Sequence, residues 1–485
     1  MATNARIPNV DLTDPELREL QRLLAKVADR RSGETRTDFV MRSKAARDVF
    51  ADVMWIDEQL RLEEAVTTAP EIVVEGEPYR KLAKQRSSVL VHGLWGAHRV
   101  EERLYRRAGL HNGPTIKPLV IKLGIVDGSL LPDLADEAGE LLSKMTSRDV
   151  EATLLRQGFR PPSRTTLANR LGGMLSEIAT GARELEDQCR MEDALDFEVG
   201  AISCGLDRFS ARMDETLPEG PERTEKLRRR RPSHEYQRTP PEPHVSSWRM
   251  AWAANVTLYD TEGRARHSFR YGADAGHDVE LLVARVVDDV CHLCERDASI
   301  PVACIQDGAT DLEPLRRSLR ERLPAATEIF ELSDFHHAIG YLDAIIAARD
   351  DGDPTNMAGW YRIKLLSDDT GAQDIVEHLR RLADGADAHS DAVANAIHEA
   401  LVYFAKRRPM MRYAEARELC LPIGSGATES TCALFQLRVK HPGSHWRPAG
   451  LRSIMIARAL QVSDRWPAVF RHYHATLRAD VRAAA

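Results

Sequence analysis

The sequence lacks long apolar runs and a regular set of cysteines. No run approaches the ~20 apolar residues that a membrane-spanning helix needs, and the first residues lack the apolar segment of a secretory signal. The seven cysteines are irregularly spaced, with none before Cys189, and so do not form a disulfide framework. We therefore expect a soluble protein of the cytoplasm, with no membrane partner.

Positive charge is also not in excess. The formal net charge is −7, which excludes a uniformly basic nucleic-acid-binding protein. Any contact with nucleic acid must therefore depend on local basic surfaces.

Length and composition predict several domains. The chain has 485 residues, more than one core usually serves, and 43% of them are hydrophobic, which is ample for burial. Apolar spacing predicts an N-terminal helical region (1–70), a small β-rich module (71–125) and a helix-turn-helix region (126–195). An α/β domain in two pieces (196–337 and 419–465) follows, with an α-helical insertion between the pieces (338–418) and a C-terminal tail (466–485).

A helix-turn-helix is predicted between Thr146 and Met174. The first helix ends at Gly158, FRPP forms a break, and Ser163 can cap the second helix. A shared core is predicted from Val150, Leu154, Leu167 and Leu171. The second helix then presents polar side chains that suit a DNA major groove, namely Arg164, Thr165, Asn169 and Arg170. An ordinary helical hairpin is the alternative interpretation.

From about Glu198 the sequence alternates between strand and helix patterns. The strand-like stretches are VGAISCGLDRF, MAWAANVTLYD, RARHSFRYGA, VACIQDG and EIFELSD, and helical patterns cover 277–296 and 311–323. Three strands, a helix, a strand, a helix, a strand and a helix is the order of a ribonuclease-H-like fold. We therefore predict an α/β ribonuclease-H-like domain.

Three acidic residues have the spacing of a metal site in such a fold. Asp207 and Asp307 each close an apolar, strand-like run, and Glu429 follows a Gly-Ser-Gly turn at the start of a helical pattern. This order would bring the three carboxylates to one edge of the sheet. Hard divalent cations prefer oxygen ligands, and two ions about 4 Å apart can promote phosphoryl displacement. We therefore predict two Mg²⁺ or Mn²⁺ ions. Asp334 also ends a strand pattern and competes with Asp307, which we prefer because its strand should neighbour the first.

Two further motifs each have two interpretations. Gly424, Ser425 and Gly426 could cradle a phosphate through backbone amides, or could form only the turn that aims Glu429. Cys291 and Cys294 have the spacing of half a zinc site, but they lie in a helical run with too few further ligands. We expect buried thiols there and no zinc.

Two basic segments could contact DNA. The first is an arm between the first two strands, where residues 221–231 carry six positive and two negative charges, and its arginines are Arg228, Arg229, Arg230 and Arg231. A disordered, solvated loop is equally consistent with this composition. The second is a rim after the Glu429 helix, formed by Arg438, Lys440 and Arg447 around Trp446, which could stack on an unpaired base. A solvated helix end with a core tryptophan is the alternative there.

From about residue 80 onward, the chain resembles bacterial insertion-sequence transposases of the DDE class, in the Kra-type group. The matching stretches are GLDRFSARM, WRMAWAANVTLYDTEGR, IQDGA, SDFHHA, IGSGATESTC and RVKHPGSHWRPAGLRSIMIARAL. The resemblance implies that Asp207, Asp307 and Glu429 bind the catalytic metals. It also implies a supporting role for Asp334 and His337, although His337 could be a purely structural histidine. Relatives often carry a cysteine-based zinc module in their N-terminal part, which this chain lacks.

The resemblance implies metal-dependent cleavage and strand transfer on double-stranded DNA, at transposon ends and target DNA. It also implies a bacterial, nucleoid-associated location and a homo-oligomer, at least a dimer on DNA. Two alternatives stay open: a domesticated, catalytically silent DNA-binding regulator, and a stand-alone ribonuclease-H-like nuclease.

Overall fold

Two five-stranded sheets organise the part of the chain that the structure, a computed structural model, describes. The described residues are 33, 35–39, 69–217, 219–220, 244–274, 279–306, 313–349, 352–353, 355–385 and 390–484. The predictions for most of residues 1–70, for Asp307 and for Arg228–Arg231 therefore lie outside them. The described residues group into two compact units. The first draws on residues 1–135, 148–167 and 476–485, and the second on 136–147 and 168–475.

The first sheet belongs to the first unit and has the strand order β10-β1-β2-β3-β4. Its strands are β1 (Glu71–Val74), β2 (Glu77–Gly93), β3 (Gly96–Arg107), β4 (Thr115–Ile116) and β10 (Val481–Ala483). The neighbours pair in antiparallel fashion. Val91 and Val100 are fully buried against Leu119, so one face of the β2–β3 ribbon packs on a small core. Strand β10 lies in the segment for which the sequence predicts only a tail.

Five helices lie between the two sheets in sequence. They are α1 (Pro118–Leu123), α2 (Pro132–Lys144), α3 (Ser147–Gln157), α4 (Arg164–Thr180) and α5 (Ala182–Glu192). Helices α3 and α4 coincide with the predicted helix-turn-helix. Gly158 has a φ of 96°, which glycine adopts without strain, and the Ser163 hydroxyl accepts a hydrogen bond from the Thr166 amide at 3.4 Å. The four predicted core residues are fully buried: Val150, Leu154, Leu167 and Leu171.

The second sheet belongs to the second unit and has the strand order β7-β6-β5-β8-β9. Its strands are β5 (Ala201–Thr216), β6 (His244–Tyr259), β7 (Ala265–Ala273), β8 (Val302–Gln306) and β9 (Ile329–Ser333). Strands β5, β6 and β7 are antiparallel, whereas β8 and β9 run parallel to β5. This arrangement confirms the predicted α/β class, and the second sheet is mixed.

Helices cover both faces of the second sheet. Helix α6 (Val279–Arg296) and α7 (Glu313–Arg322) contribute to the core on one face, with Ile202, Cys204 and Leu206 of β5. The opposite face of β5 presents Phe209, Ala211 and Met213 to α13 (Gly426–Val439) and α14 (Pro448–Val462). The period-two alternation of a strand thus supplies two separate cores. Helix α15 (Trp466–Leu477) follows α14.

The segment predicted as an α-helical insertion is helical. Its helices are α8 (Phe335–Ala347), α9 (Met357–Ser367), α10 (Gly371–Asp384), α11 (Asp391–Arg407) and α12 (Tyr413–Glu418), with a 3₁₀ turn at Arg408–Met410. They share one apolar core that includes the fully buried Leu342, Tyr361, Leu379 and Phe404. None of the helices in the described ranges has the length and hydropathy to span a bilayer.

Candidate active site

Asp207 lies inside β5, not at its end. The sequence suggested that the strand stops at this residue, but β5 continues to Thr216 and stays paired with β6 as far as His244. The reason is the alternation beyond Asp207, where Phe209 and Ala211 are buried and Arg208 and Arg212 are exposed. The Asp207 carboxylate accepts a hydrogen bond from the Arg208 amide at 2.7 Å through Oδ1.

Glu429 lies in the first turn of α13, and its side chain is exposed. The hydroxyl of Ser425, the residue before the helix, donates to Glu429 Oε1 at 3.1 Å. A carboxylate in the first turn is also stabilised by the partial positive charge of the helix N-terminus. The hydrogen bond restricts the orientation of the Glu429 side chain, and the helix N-terminus stabilises its negative charge.

Helix α13 approaches the second sheet closely where β5 has a glycine. A Cβ on Gly205 would overlap the Thr428 hydroxyl and would lie 3.2 Å from the Ile305 carbonyl oxygen. The buried Thr428 hydroxyl donates to Asn255 Oδ1 at 2.7 Å, which ties the helix to β6. The absence of a side chain at Gly205 therefore lets the helix that carries Glu429 lie against the strand that carries Asp207.

Asp207 and Glu429 line one small cavity of about 40 Å³. The remaining lining residues are Leu206, Ile305, His337, Ser425 and Thr428. The Asp207 side chain is partly exposed, so both carboxylates are accessible to a ligand. Strands, a helix and the insertion thus bring together residues that are remote in sequence.

Cys432 lies one turn beyond Glu429 on α13 and is buried. Its thiol donates to Asp207 Oδ2 at 3.4 Å, across 225 residues of sequence. Burial raises the pKa of the Cys432 thiol, and the negative charges of Asp207 and Glu429 raise that pKa further. The thiol therefore stays protonated at neutral pH and remains a hydrogen-bond donor.

Asp307 lies outside the described residues, directly after Gln306, where β8 ends. Within the described ranges, no three His, Cys, Asp or Glu residues are grouped closely enough to hold a metal ion. Ile305, two residues before Asp307, lines the cavity that holds Asp207 and Glu429.

Asp334 occupies a structural position beside this cavity. It is 1% exposed, and its Oδ1 accepts the His337 amide at 2.7 Å, capping α8. Its Oδ2 accepts the Ser425 amide at 2.5 Å. Burial alone would raise the pKa of Asp334, but the hydrogen bonds from Ser425 and His337 outweigh it and hold that pKa below its usual value. Asp334 thus joins the start of α8 to the turn before Glu429.

The Gly424–Gly426 turn fits one of its two predicted interpretations. The Ser425 amide donates to Asp334, so that amide is not available to a phosphate. A Cβ on Gly424 would lie 3.1 Å from the His336 ring. The turn aims Glu429 and packs against the insertion.

His337 faces two cavities. It lines the small cavity with Asp207 and Glu429, and also a larger one of about 490 Å³. The larger cavity is also lined by His336, Gly340, Tyr341, Ala344 and Glu399. His337 is exposed, so it is not the packed structural histidine that the sequence left open.

The residues predicted to contact DNA on α4 are exposed. They are Arg164, Thr165, Asn169 and Arg170. The backbone amide of Arg164 donates to Glu151 Oε1 at 2.9 Å, so a carboxylate caps the helix that carries these side chains.

Only part of the predicted rim after α13 is exposed. Lys440 and Arg447 are exposed. Arg438, in contrast, is 6% exposed, donates to the Leu142 carbonyl at 3.1 Å and lies 5.0 Å from the Trp446 ring centre. Trp446 packs on the core beneath β5 and donates to the Val439 carbonyl at 2.9 Å. Arg438 is therefore not on the exposed rim, and Trp446 is partly a core residue.

Cys291 and Cys294 are free and buried in α6, as expected. Cys291 donates to the Arg322 carbonyl at 3.8 Å, and burial raises the pKa of Cys294 to about 12. These thiols pack as small apolar side chains.

Sequence reasoning missed the residues that orient the two acids. They are Asn255, Thr428 and Cys432, whereas Ser425 was named only as part of the turn before Glu429. A signal is present in the sequence, because Ser425, Thr428, Glu429 and Cys432 recur at three- and four-residue spacing and thus share one face of α13. Only the fold shows that this face meets Asp207.

Comparison with protein-family models and with curated proteins finds no match. Among solved structures, the chain is similar to the Mos1 transposase paired-end complex with left transposon end. The sequences are 12% identical, the match covers 57% of this chain and 78% of that chain, and the TM-score is 0.15. A likeness at that score carries no argument about fold or function.

Proposed function

We propose that this protein is a DDE transposase that binds insertion-sequence ends and catalyses metal-dependent DNA cleavage and strand transfer. The observation that carries the proposal is the shared cavity of Asp207 and Glu429. Two accessible carboxylates from a central strand and a helix, brought together by a close helix–sheet approach, are the start of a metal-binding acidic cluster.

The sheet supports a ribonuclease-H-like fold for the second unit. Three antiparallel strands come first, and β8 and β9 follow in parallel on the other side of β5. Asp207 lies on the first of these strands, and Asp307 follows the fourth. We propose Asp307 as the third acid because β8 runs parallel to β5 and its residue Ile305 lines the cavity.

The donor chemistry fits Mg²⁺ or Mn²⁺. Both carboxylates of the cavity offer oxygen ligands, which these cations prefer, and its one nearby sulfur belongs to a thiol that stays protonated. We propose that Asp207, Asp307 and Glu429 hold two ions. When bound, the ions would supply an activated oxygen and neutralise the charge of an in-line phosphoryl displacement.

The residues around the two carboxylates then have defined structural roles. Ser425 and Cys432 each donate a hydrogen bond to one carboxylate and so limit its rotation. Asp334 fixes Ser425 and the start of α8, and thereby the position of His337. His337 is close enough to the cavity to donate a hydrogen bond to a DNA phosphate held there.

Binding of DNA ends is proposed for the helix-turn-helix and the rim. Arg164, Thr165, Asn169 and Arg170 suit base edges and phosphates, and Lys440 and Arg447 suit the backbone near the metal site. The arm with Arg228–Arg231 would add phosphate contacts. Synapsis of two ends requires at least a dimer, which is part of the same proposal.

The test uses labelled duplexes that carry the ends of the source element, incubated with Mg²⁺ and a target plasmid. Nicked ends and joined products are both expected, and neither should form with EDTA. End binding without any cleavage would favour the silent regulator. Cleavage without joining would favour a stand-alone nuclease.

A further inference from the structure

The β2–β3 ribbon of the first unit carries a dense positive charge. Residues 77–107 contain eight lysines and arginines against three glutamates, in a chain whose net charge is −7. The positive residues are Arg80, Lys81, Lys84, Arg86, Arg99, Arg103, Arg106 and Arg107. The rest of the chain is correspondingly more acidic, so this segment is, like residues 221–231, a local concentration of positive charge.

The strand register opposes like charges. Arg86 pairs directly with Arg103, and Arg80 pairs with Arg106. Like charges directly opposite on antiparallel strands destabilise a sheet. Two such pairs in one ribbon are a cost to folding that a bound polyanion would remove.

Neighbouring groups neutralise only part of this charge. Arg80 forms an ion pair with Glu71 at 3.2 Å, and Arg107 forms one with Glu77 at 2.5 Å. Arg103 and Arg106 donate to the carbonyl oxygens of Ala83 and His111, which carry no net charge. The Arg86 side chain is exposed.

Arg86, Arg99 and Arg103 share the solvent face of the ribbon with one acidic residue, Glu101. Register and alternation place them together, opposite the face on which Val91 and Val100 are buried. Between Lys81 and Arg86 the register shifts, and the extra residues of this irregularity include the exposed Lys84. Such irregularities redirect side chains and increase local twist.

We propose that this face of the β2–β3 ribbon binds the phosphate backbone of duplex DNA. Arginine presents a planar fork that matches phosphate oxygens, and a two-stranded ribbon fits a major groove. Leu90 is the one large apolar side chain that the ribbon exposes, at 46%, so the face does not suit an apolar partner. The inference rests on the proposed function in naming DNA as the polyanion, and it assigns a partner to a module whose role the sequence alone did not indicate.

The experiment measures binding of the full chain to a labelled duplex of random sequence over a series of NaCl concentrations. Each lost phosphate contact should reduce the slope of log K against log salt by about 0.9. The double variant Arg86→Gln with Arg103→Gln should therefore reduce this slope by the amount expected for about two phosphate contacts. It should also weaken binding about tenfold or more at low salt. The double variant with lysine at both positions should stay close to the original slope.

The matched control removes two exposed arginines elsewhere, Arg317→Gln on α7 and Arg380→Gln on α10. It changes the net charge by the same amount and should leave the slope unchanged. An unchanged slope and affinity in the ribbon glutamine variant would overturn the inference, as would an equal loss in the control.

Failure of the proposed function is distinguishable from failure of this inference. Cleavage is measured separately, at saturating DNA and low salt, with Asp207→Asn as the reference. A ribbon-dependent slope in a protein that never cuts DNA would support the inference and remove the transposase proposal. Cleavage with a ribbon-independent slope would do the reverse.

Discussion

The two sheets have the same number of strands but opposite chemistry. The second sheet is covered by helices on both faces and carries acids where strands and helix meet. The first sheet buries one face of its ribbon and leaves arginines opposite each other on the other. A net charge of −7 therefore describes neither sheet. Charge is segregated by region, and each region must be considered separately.

Loss of an acid from the second sheet should have the strongest effect on cleavage. Asp207→Asn removes a proposed metal ligand but keeps the shape of the side chain. Loss of about 4 kcal/mol of transition-state stabilisation corresponds to a rate loss of about 10³-fold. Cleavage should fall by at least this factor, as should cleavage by Glu429→Gln, in a nicking assay.

End binding in a gel-shift assay is the control for both variants and should be retained. Cleavage at the original rate by either variant would remove that residue from the proposed site.

The next effect tests how tightly the second sheet meets α13. Gly205→Ala places a methyl group against Thr428 and the Ile305 carbonyl. Overpacking of this kind costs about 1–3 kcal/mol, and we expect cleavage to fall as well, because Glu429 moves with the helix. Urea denaturation measures the change in the free energy of unfolding.

Gly172→Ala on α4 is the matched control, because a Cβ there would meet nothing within 4 Å. It should be neutral or stabilising by up to about 1 kcal/mol. Equal stability of the two variants would contradict the close approach.

A pH-dependent effect of similar size is expected at Asp334. Its pKa is below the usual 3.8 in the folded state, so its stabilising contribution is complete above that value and is lost as the pH falls through the folded pKa. Asp334→Asn should destabilise the protein by about 1–3 kcal/mol at pH 7, because the buried amides lose a charged acceptor. Below about pH 4 the difference from the original protein should shrink.

Urea denaturation at pH 7 and at a series of lower values, down to about pH 2, measures the difference across the titration. A constant difference across this range would show that the Asp334 carboxylate is not the group that titrates.

The smallest effect tests the cationic side. Arg86→Gln removes one member of the Arg86–Arg103 pair and should stabilise the fold by about 0.2–1 kcal/mol at low salt. The gain should vanish near 1 M NaCl, where the Debye length is about 3 Å. Thermal denaturation at the two salt concentrations measures it. Destabilisation at low salt would mean that the two arginines do not repel each other.

The sequence was sufficient to predict the order of strands and helices in the second unit, because its apolar runs have clear periods. It was not sufficient to predict where β5 ends. The side chains from Arg208 to Asp214 alternate, but only their pairing with β6 shows that they continue the strand. Burial of Arg438 was also missed, because the carbonyl of Leu142 that receives its hydrogen bond is remote in sequence. Asp334 resembled a metal ligand locally, and only its contact with Ser425 identifies it as a structural link.

Strand β10 has a consequence for the order of events during synthesis. It pairs with β1 through Ile72, Val73 and Val74, although all residues of the second unit lie between these two strands in the sequence. While the ribosome makes residues 168–475, the β1 edge has no partner of its own, and an open strand edge invites pairing with other chains. The first sheet therefore cannot be completed until β10 has been made. Slow or interrupted translation in this interval should favour aggregation over folding.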